Sequence, residues 1–260
     1  MNWLFQNFNQ RVRFALENPG YALNSLYRDL ILGDEKFLSI ITSVPARRIR
    51  DFIEEPNQNG LFSAHLQSVK TELQALEIYS ADLYAKKILL QYGAVRAFQP
   101  KIIVETGVAN GVSSAYLLLA LQANGHGHLY SIGLNEPHFL PSGRSLGWVV
   151  PEELRSRWKL LVGNSQTILP GLLDEIGSTD IFIHDSLHTY EHMLWEFREA
   201  YPHLPPGGLL FSDDAQWNSA FLEFAIEVAS PQAKILRGVG FLQKSPSKLL
   251  SDECDPFKIP

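Results

Sequence analysis

The pattern of apolar and polar positions changes near residue 100 of this chain. Before that point apolar residues recur at helical spacing, first at Trp3, Leu4, Phe8, Val12 and Leu16. After it, short apolar or β-branched runs alternate with helical stretches. The runs span 101–106, 128–133, 158–163, 180–185 and 208–213, and two more, AKILRGV and GFLQKS, close the pattern. The first part therefore predicts helices, and the second part predicts strands alternating with helices.

Turn residues divide the helical part. The segment 18–25, NPGYALNS, predicts a turn followed by a helix start at Asn24 or Ser25. The segment 54–60, EEPNQNG, combines proline, glycine and asparagine and predicts a loop. The residues after it, 63–95, predict one or two amphipathic helices.

The second part predicts an α/β fold. Strand–helix alternation is typical of a mostly parallel sheet with helices on both faces, whose buried strands are mostly apolar. Five such units plus a closing antiparallel pair make seven strands. Ligands of open parallel sheets bind beyond the carboxyl ends of the strands. The residues that end each run are therefore the first candidates for chemistry.

Composition narrows the function. The chain has 260 residues with 22 Lys+Arg against 28 Asp+Glu, and the net charge of −6 makes nucleic-acid binding a poor expectation. Its single cysteine, Cys254, excludes an internal disulfide framework and a cysteine-built zinc site. We find no stretch resembling a secretory signal or a membrane span. The expectation is a soluble, cytoplasmic protein with no nucleic-acid partner.

The first strand ends in a glycine-containing turn, VETGVANGVSSAY. Glu105 closes the strand, Gly107 and Gly111 form the turn, and Ser113 stands at the start of the next helix. Glycines let backbone approach a ligand closely, and a helix start offers unpaired N–H groups. The spacing matches neither G-x-G-x-x-G nor a P-loop. An acid before the turn would repel a pyrophosphate and favour a ligand with an amino or sulfonium group, although a plain strand–helix turn is the alternative.

The fourth and fifth strands end in carboxylates. Asp185 follows one, and Asp213 and Asp214 follow the other. If these strands are neighbours, the three carboxylates meet at one edge and repel each other unless a cation lies between them. Oxygen ligands favour Mg²⁺, Ca²⁺ or Mn²⁺. The alternative is that Ser212 or Asp214 only caps the following helix.

Two histidines flank Asp185 in the sequence HDSLH. His184 ends an apolar strand, so His184 and His188 do not form the helical H-E-x-x-H zinc motif. Ser186 lacks the G-x-S-x-G context of a hydrolase nucleophile. A neutral His188 beside a metal is a candidate general base, and a surface histidine is the alternative.

Together these motifs resemble those of class I S-adenosylmethionine (SAM)-dependent methyltransferases. VETGVANGVSSAYLL resembles the family's first motif, and DIFIHDSLHTYEHMLWEF followed by HLPPGGLLFSDD resembles its later motifs. The branch with the greatest similarity includes cephalosporin-hydroxylase-like and sugar O-methyltransferases. The resemblance covers about residues 95–245 and implies a Rossmann-like, seven-stranded, mostly parallel sheet with an antiparallel last strand. It implies SAM as the cofactor and a small-molecule acceptor.

The resemblance also implies roles for individual residues. Those expected to contact the cofactor are Glu105, Gly107, Gly111 and Ser113 near its methionine part, and Asn164 and Ser165 near its adenine. Asp185, Asp213 and Asp214 match the magnesium site of metal-dependent members, in which the metal lowers the pKa of a substrate hydroxyl. Asp185 and His188 are then the catalytic candidates, with His188 as the base.

The sequence departs from the family pattern in two places. The second strand normally ends in an acid that binds the ribose hydroxyls, but here Gly133 stands there, with Asn135 or Glu136 as substitutes shifted along the loop. Asn164 replaces the usual aspartate, and its amide can still accept a hydrogen bond from adenine. Loss of one charged hydrogen bond to ribose weakens binding by about ten- to a hundredfold.

The resulting organisation has an N-terminal helical extension at 1–95, a methyltransferase domain at 96–245 and a tail at 246–260. The loop 135–154 is long for a strand–helix connection and is predicted to be a lid with His138, Arg144 and Trp148 as substrate contacts; a structural loop is the alternative. The N-terminal helices either cover the acceptor side or form a homo-oligomer contact. The aromatic residues Trp3, Phe5, Phe8 and Phe14 raise membrane-surface binding as an alternative, but only two basic residues, Arg11 and Arg13, lie nearby, which favours packing against the domain.

Two other functions stay open at this point. One is a non-catalytic binding module on a methyltransferase fold, suggested by Gly133 and Asn164, because a fold does not fix a function. The other is a nucleotide-dependent oxidoreductase, which the absent G-x-G-x-x-G disfavours. The leading interpretation is metal-assisted O-methylation of a sugar or secondary metabolite.

Overall fold

A computed structural model describes residues 33–75, 86–135 and 140–245, together with Leu16. Several predictions concern residues outside these ranges. They are the first N-terminal helix, the turn and helix start at 18–25, the roles of Glu136 and His138, and the tail at 246–260. In the described part of the chain, no helix is both long enough and apolar enough to cross a membrane.

The secondary structure follows the predicted division into helices and then strands. The helices are α1 Asp34–Thr42, α2 Ala46–Gln58, α3 Gly60–Ala75, α4 Lys86–Phe98, α5 Val112–Asn124, α6 Ser165–Ile176, α7 Tyr190–Ala200 and α8 Ala220–Glu227. The strands are β1 Ile102–Thr106, β2 His128–Gly133, β3 Trp158–Val162, β4 Ile181–His184, β5 Leu209–Ser212, β6 Ala233–Leu236 and β7 Val239–Gln243. Short 3₁₀ helices span Glu152–Arg157 and Tyr201–His203.

The strands form one sheet in the order β3-β2-β1-β4-β5-β7-β6. Strands β1 to β5 run parallel to one another, whereas β7 runs antiparallel to both β5 and β6. The predicted α/β fold, with seven strands and an antiparallel closing pair, is confirmed. Strand order reverses between β1 and β4, which places the expected ligand crevice at their carboxyl ends.

Two apolar clusters cover the two faces of the sheet. Alternate strand residues point to opposite sides, so Ile181 and Ile183 join one cluster and Phe182 joins the other. Helices α1 to α5 pack on the first face, and α6 to α8 pack on the second. The N-terminal helices therefore share a core with the sheet, and the predicted domain boundaries stay a prediction.

The predicted loop at 54–60 is wrong. Helix α2 continues through Pro56 to Gln58, and α3 begins at Gly60. The last turn of α2 is held from outside the segment, because Glu55 accepts hydrogen bonds from Tyr92 at 2.9 Å and from Nε of Arg96 at 2.6 Å. Pro56 is also buried. These tertiary contacts outweigh the local preference of proline and asparagine for a turn.

Candidate active site

The turn between β1 and α5 has the strained backbone that its glycines predict. Gly107 and Gly111 both have φ of +88°, and Ala109 lies between them at φ +43°. A Cβ on Gly107 would lie 1.8 Å from the backbone oxygen of Asp185. Gly107 is therefore required, because the end of β4 passes directly against this turn at the point where strand order reverses.

Glu105 lies beneath the turn and is fully buried. Its carboxylate accepts hydrogen bonds from Ser113 at 2.7 Å, from Ser114 at 2.6 Å and from Ser131 at 2.7 Å. Burial raises the pKa of Glu105, and the three serine hydroxyls oppose that shift. Glu105 thus ties β1 to β2 and to the start of α5, and Ser113 serves this network. Their contact with a cofactor stays a prediction.

Asp185 and Asp213 meet at the carboxyl edge of the sheet, as their positions after β4 and β5 predict. The ladder continues one residue beyond the strands, since Asp185 N–H donates to Thr106 at 2.8 Å and Asp213 N–H donates to His184 at 2.8 Å. In the part of the chain that the structure describes, ligand atoms of Asp185, His188 and Asp213 lie within 4.8 Å of one another.

This cluster has the chemistry of a divalent metal site. Ligand atoms on opposite sides of a bound ion are roughly 4.2–5 Å apart, so the observed spacing suits one ion. Nε2 of His188 is buried, lies 3.6 Å from Asp185 Oδ1 and has no hydrogen-bond partner among the described residues. The group fits a metal by spacing and by donor type. Asp214 was predicted as a ligand but is not part of this group.

Burial and neighbouring charges shift the pKa values of the side chains at this edge of the sheet. Burial, followed by repulsion from Asp213, raises the pKa of Asp185 well above its ordinary value. Burial also raises the pKa of Asp214. Burial and the neighbouring His184 lower the pKa of His188 to about 4, so its imidazole is neutral at pH 7 and can accept a proton or bind a metal.

A lysine from the N-terminal helices reaches this cluster, which the sequence motifs did not indicate. Nζ of Lys87, in the first turn of α4, donates to Asp213 Oδ2 at 2.7 Å and to Oδ1 at 3.0 Å. Burial alone would lower the pKa of Lys87, but attraction to Asp213 outweighs it and the pKa is raised. Lys87 is 98 residues before Asp185 along the chain, so only the tertiary fold brings them together.

The two histidines of HDSLH do not form a helical zinc motif, as predicted. His184 ends β4, while His188 lies in the loop before α7, which begins at Tyr190. Their rings meet edge to face with centroids 5.3 Å apart. His184 is fully buried, so its side chain lies in the protein interior and is not a member of the cluster.

A buried polar network centred on Glu196 supports the loop that carries Asp185 and His188. The carboxylate accepts from Thr106 at 2.5 Å, from His184 Nδ1 at 2.6 Å and from Ser186 at 2.8 Å, and it contacts Nε2 of His192 at 2.9 Å. Burial would raise the pKa of Glu196, but the bonds from both histidines outweigh it and lower the pKa. Sequence reasoning missed this network; the detectable signal was a glutamate on the apolar face of α7.

Asn164 and Ser165, the residues predicted to contact adenine, lie at the start of α6. Oδ1 of Asn164 accepts from the backbone N–H of Gln166 at 2.8 Å, so this side chain is the N-cap of α6. Ser165 is buried, and its hydroxyl lies 3.3 Å from Nε2 of His192. The cap accounts for Asn164, and a role in adenine binding stays a prediction for both residues.

The space beside Gly133 is filled by apolar side chains. A Cβ there would lie 3.0 Å from Leu146 Cδ2 and 3.1 Å from the side chain of Val108. Leu146 belongs to residues 140–150, hereafter the 140–150 loop. Gly147 N–H of this loop donates to Ala109 at 3.0 Å, so the loop packs on the glycine turn. An acid at position 133 would therefore meet the loop rather than open space.

Two predicted substrate contacts in this loop have protein partners. Arg144 stacks on Trp148 at 4.6 Å and pairs with Glu72 of α3. Trp148 Nε1 donates to Asn110 of the glycine turn at 2.7 Å. These contacts join the loop to α3 and to the turn, and substrate binding by Arg144 and Trp148 stays a prediction.

Part of the sequence is similar to a known protein family. Residues 104–215 match a family model described as a methyltransferase domain. Among curated proteins none matches the sequence.

Several solved structures have a similar fold. The SAH-bound methyltransferase PaMTH1 of Podospora anserina is 15% identical with a TM-score of 0.51, covering 77% of this chain and 95% of that one. An O-methyltransferase from Bacillus cereus in complex with SAH is 15% identical with a TM-score of 0.51, covering 69% and 89%. A methyltransferase from Geobacter sulfurreducens is 17% identical with a TM-score of 0.50, covering 70% and 90%. These similarities establish a shared fold.

The matched residues contain the glycine turn, the N-cap of α6 and both carboxylate-bearing strand ends. The sheet has the predicted seven strands with an antiparallel closing pair. Residues 104–215 therefore match a methyltransferase domain, and the chain shares its fold with the methyltransferases named above.

Proposed function

We propose that this protein transfers a methyl group from SAM to a hydroxyl of a small molecule, such as a sugar or a secondary metabolite, with assistance from a divalent metal. The observation that carries this proposal is the carboxylate–histidine cluster of Asp185, His188 and Asp213 at the carboxyl edge of a methyltransferase domain. A metal there, Mg²⁺ in the first instance, would polarise acceptor oxygens and lower the pKa of a hydroxyl.

The residues of the chain divide between donor and acceptor. SAM would supply a methyl group bonded to a positively charged sulfur. The acceptor oxygen would attack the methyl carbon in line, and the sulfur would leave with the electrons of the broken bond as S-adenosylhomocysteine. The donor side is the turn of Gly107 and Gly111, with Glu105 and Ser113 beneath it and with Asn164 and Ser165 on the adenine side. The acceptor side is the cluster, where Asp185 and Asp213 bind the metal. Positioning of the two reactants then supplies most of the catalysis.

His188 has one nitrogen available for either of two roles. Nε2 completes the metal ligand set, or it accepts the proton that leaves the acceptor hydroxyl. The variant His188→Gln distinguishes them when Mn²⁺ affinity and turnover are both measured. A ligand role predicts weaker Mn²⁺ binding, whereas a base role predicts unchanged Mn²⁺ binding with a lower kcat.

The first experiment is calorimetric titration of the purified protein with SAM, with and without Mg²⁺. Micromolar affinity supports the proposal and justifies a screen of sugars and phenols, with release of S-adenosylhomocysteine as the readout. Asp213→Asn should abolish metal-stimulated turnover, while the matched control Asp174→Asn, at an exposed position of α6, should not. Full activity of Asp213→Asn, or full activity of the wild type in excess chelator, would refute the metal assistance.

The 140–150 loop is proposed to be a lid over the donor site. Its packing on the glycine turn and the position of Leu146 beside Gly133 at the end of β2 support this role. Arg144 is exposed and offers a trypsin cleavage site within the loop. We expect SAM to change the rate of cleavage after Arg144; an unchanged rate at saturating SAM would contradict a lid.

A non-catalytic binding module is the second candidate function. The filled space beside Gly133 and the capping role of Asn164 favour it, because both replace features that the family uses to hold the cofactor. The same titration decides between the two candidates. Absence of SAM binding with and without Mg²⁺ would favour the module.

A further inference from the structure

Lys87 places a positive charge in the carboxylate cluster from outside the matched methyltransferase domain. It lies in the first turn of α4, whereas the family match begins at residue 104. Its ammonium contacts both oxygens of Asp213, at 2.7 and 3.0 Å. The side chains are 28% exposed for Lys87 and 10% exposed for Asp213. This pair is thus a partly buried contact with bidentate geometry rather than a mobile surface ion pair.

The same ammonium acts on two further carboxylates, Asp185 in the cluster and Asp214 beside it. Asp185 and Asp214 both attract the charge of Lys87, and each does so less strongly than Asp213. Lys87 therefore faces the group of residues to which a divalent ion would bind. Both cations need the same Asp213 oxygens, and two cations at adjoining positions repel each other at low effective dielectric.

We propose that Lys87 is a built-in cation that competes with a divalent metal for Asp213, so that metal binding requires the ammonium to leave this carboxylate. The inference rests on the metal site of the proposed function. The ammonium of Lys87, which comes from the N-terminal helices, balances the negative charge of the carboxylates when no metal is bound. The same ammonium lowers the affinity of the site for a metal. Removal of Lys87 should therefore strengthen metal binding.

The test is titration of the full chain with Mn²⁺ in the absence of SAM, followed by calorimetry and by the paramagnetic signal of free Mn²⁺. Lys87→Met keeps the length and apolar stem of the side chain but removes its charge. Lys86→Met is the matched control, because Lys86 lies in the same helical turn, is 51% exposed and pairs with Asp34 at 3.7 Å instead. It removes the same charge from the helix without touching Asp213.

We expect Lys87→Met to bind Mn²⁺ about tenfold or more tightly than the wild type, with Lys86→Met within about threefold of the wild type. Equal affinities of Lys87→Met and Lys86→Met would overturn the inference while leaving the metal site intact. No Mn²⁺ binding by any variant would overturn both the inference and the metal assistance. SAM binding, measured on the same samples, reports separately on the methyltransferase function.

Thermal unfolding keeps the inference falsifiable if Lys87→Met folds poorly. Without a counter-charge, Asp185 and Asp213 repel each other, so this variant should unfold at a lower temperature and recover when Mn²⁺ is added. The double variant Lys87→Met with Asp213→Asn removes both charges of the pair. It should regain stability without metal and show no response to Mn²⁺. A Mn²⁺ response of the double variant equal to that of Lys87→Met would overturn the inference.

Discussion

Glu196→Gln tests whether the buried carboxylate network holds the candidate active site together. The substitution keeps the volume and shape of the side chain but replaces one acceptor oxygen with an amide donor. In the wild type both oxygens are used, one by Thr106 and His184 and the other by Ser186 and His192. In the variant, one of these two pairs of donors faces an NH₂ group.

The expected cost follows from the number of bonds affected. A hydrogen bond to a charged group contributes about 1.5–3 kcal/mol, and losing two of them at the lower value predicts a loss of about 3 kcal/mol in the free energy of unfolding. The melting temperature should fall by roughly 6–12 °C for a domain of this size. The lower value applies because the hydroxyls of Thr106 and Ser186 can rotate to accept a hydrogen bond from the new amide.

The assay is urea denaturation at pH 7, followed by tryptophan fluorescence, with Glu191→Gln as the control. Glu191 is exposed in the first turn of the same helix, so its loss should cost under about 1 kcal/mol. The pKa of Glu196 is lowered in the folded state, so its contribution is present above the unfolded pKa of about 4.3 and is lost as pH falls below that value. The wild type should therefore lose more stability than the variant on acidification. A loss under about 1 kcal/mol for Glu196→Gln at pH 7 would refute the reasoning.

Three further substitutions test the turn, the second strand and the helix cap. Gly107→Ala should destabilise the protein by at least about 2 kcal/mol in urea denaturation, because the added Cβ would collide with the backbone of Asp185. The control is Gly143→Ala, which should cost less because Gly143 has φ of +78° but faces open space. Gly133→Asp should cost about 1–3 kcal/mol through overpacking and leave SAM affinity unimproved in calorimetry. Asn164→Ser should retain stability within about 0.5 kcal/mol because serine also caps helices; a large drop in SAM affinity in this variant would instead indicate an adenine contact.

Most of the fold was predictable from local patterns. Each parallel strand lies within one residue of its predicted run. For β1, β4 and β5 the reason is that a strand buried on both faces is a continuous apolar segment between turn residues. The same holds for the carboxylates: Asp185 and Asp213 follow neighbouring strands, so sheet register alone brings them together. Gly107 was also identifiable, since its turn follows the first strand.

Other features could not be predicted because they depend on distant partners. The helical ending of α2 depends on Glu55 meeting Tyr92 and Arg96, and local sequence favours a loop there. The space beside Gly133 depends on where Leu146 packs. In each case the deciding contact joins residues that are far apart in the chain, and no local pattern specifies such a contact.

The sequence by itself determined the α/β class, the seven strands, the glycine turn and the acidic strand ends, because these follow from hydrophobic period and from the backbone freedom of glycine. The tertiary structure decided which charges surround the acids. It buried Glu196 among hydrogen-bond donors and brought Lys87 from the N-terminal helices to Asp213. The physical reason is that the cost of burying a charge depends on every neighbour within a few ångströms, and chain folding alone selects those neighbours.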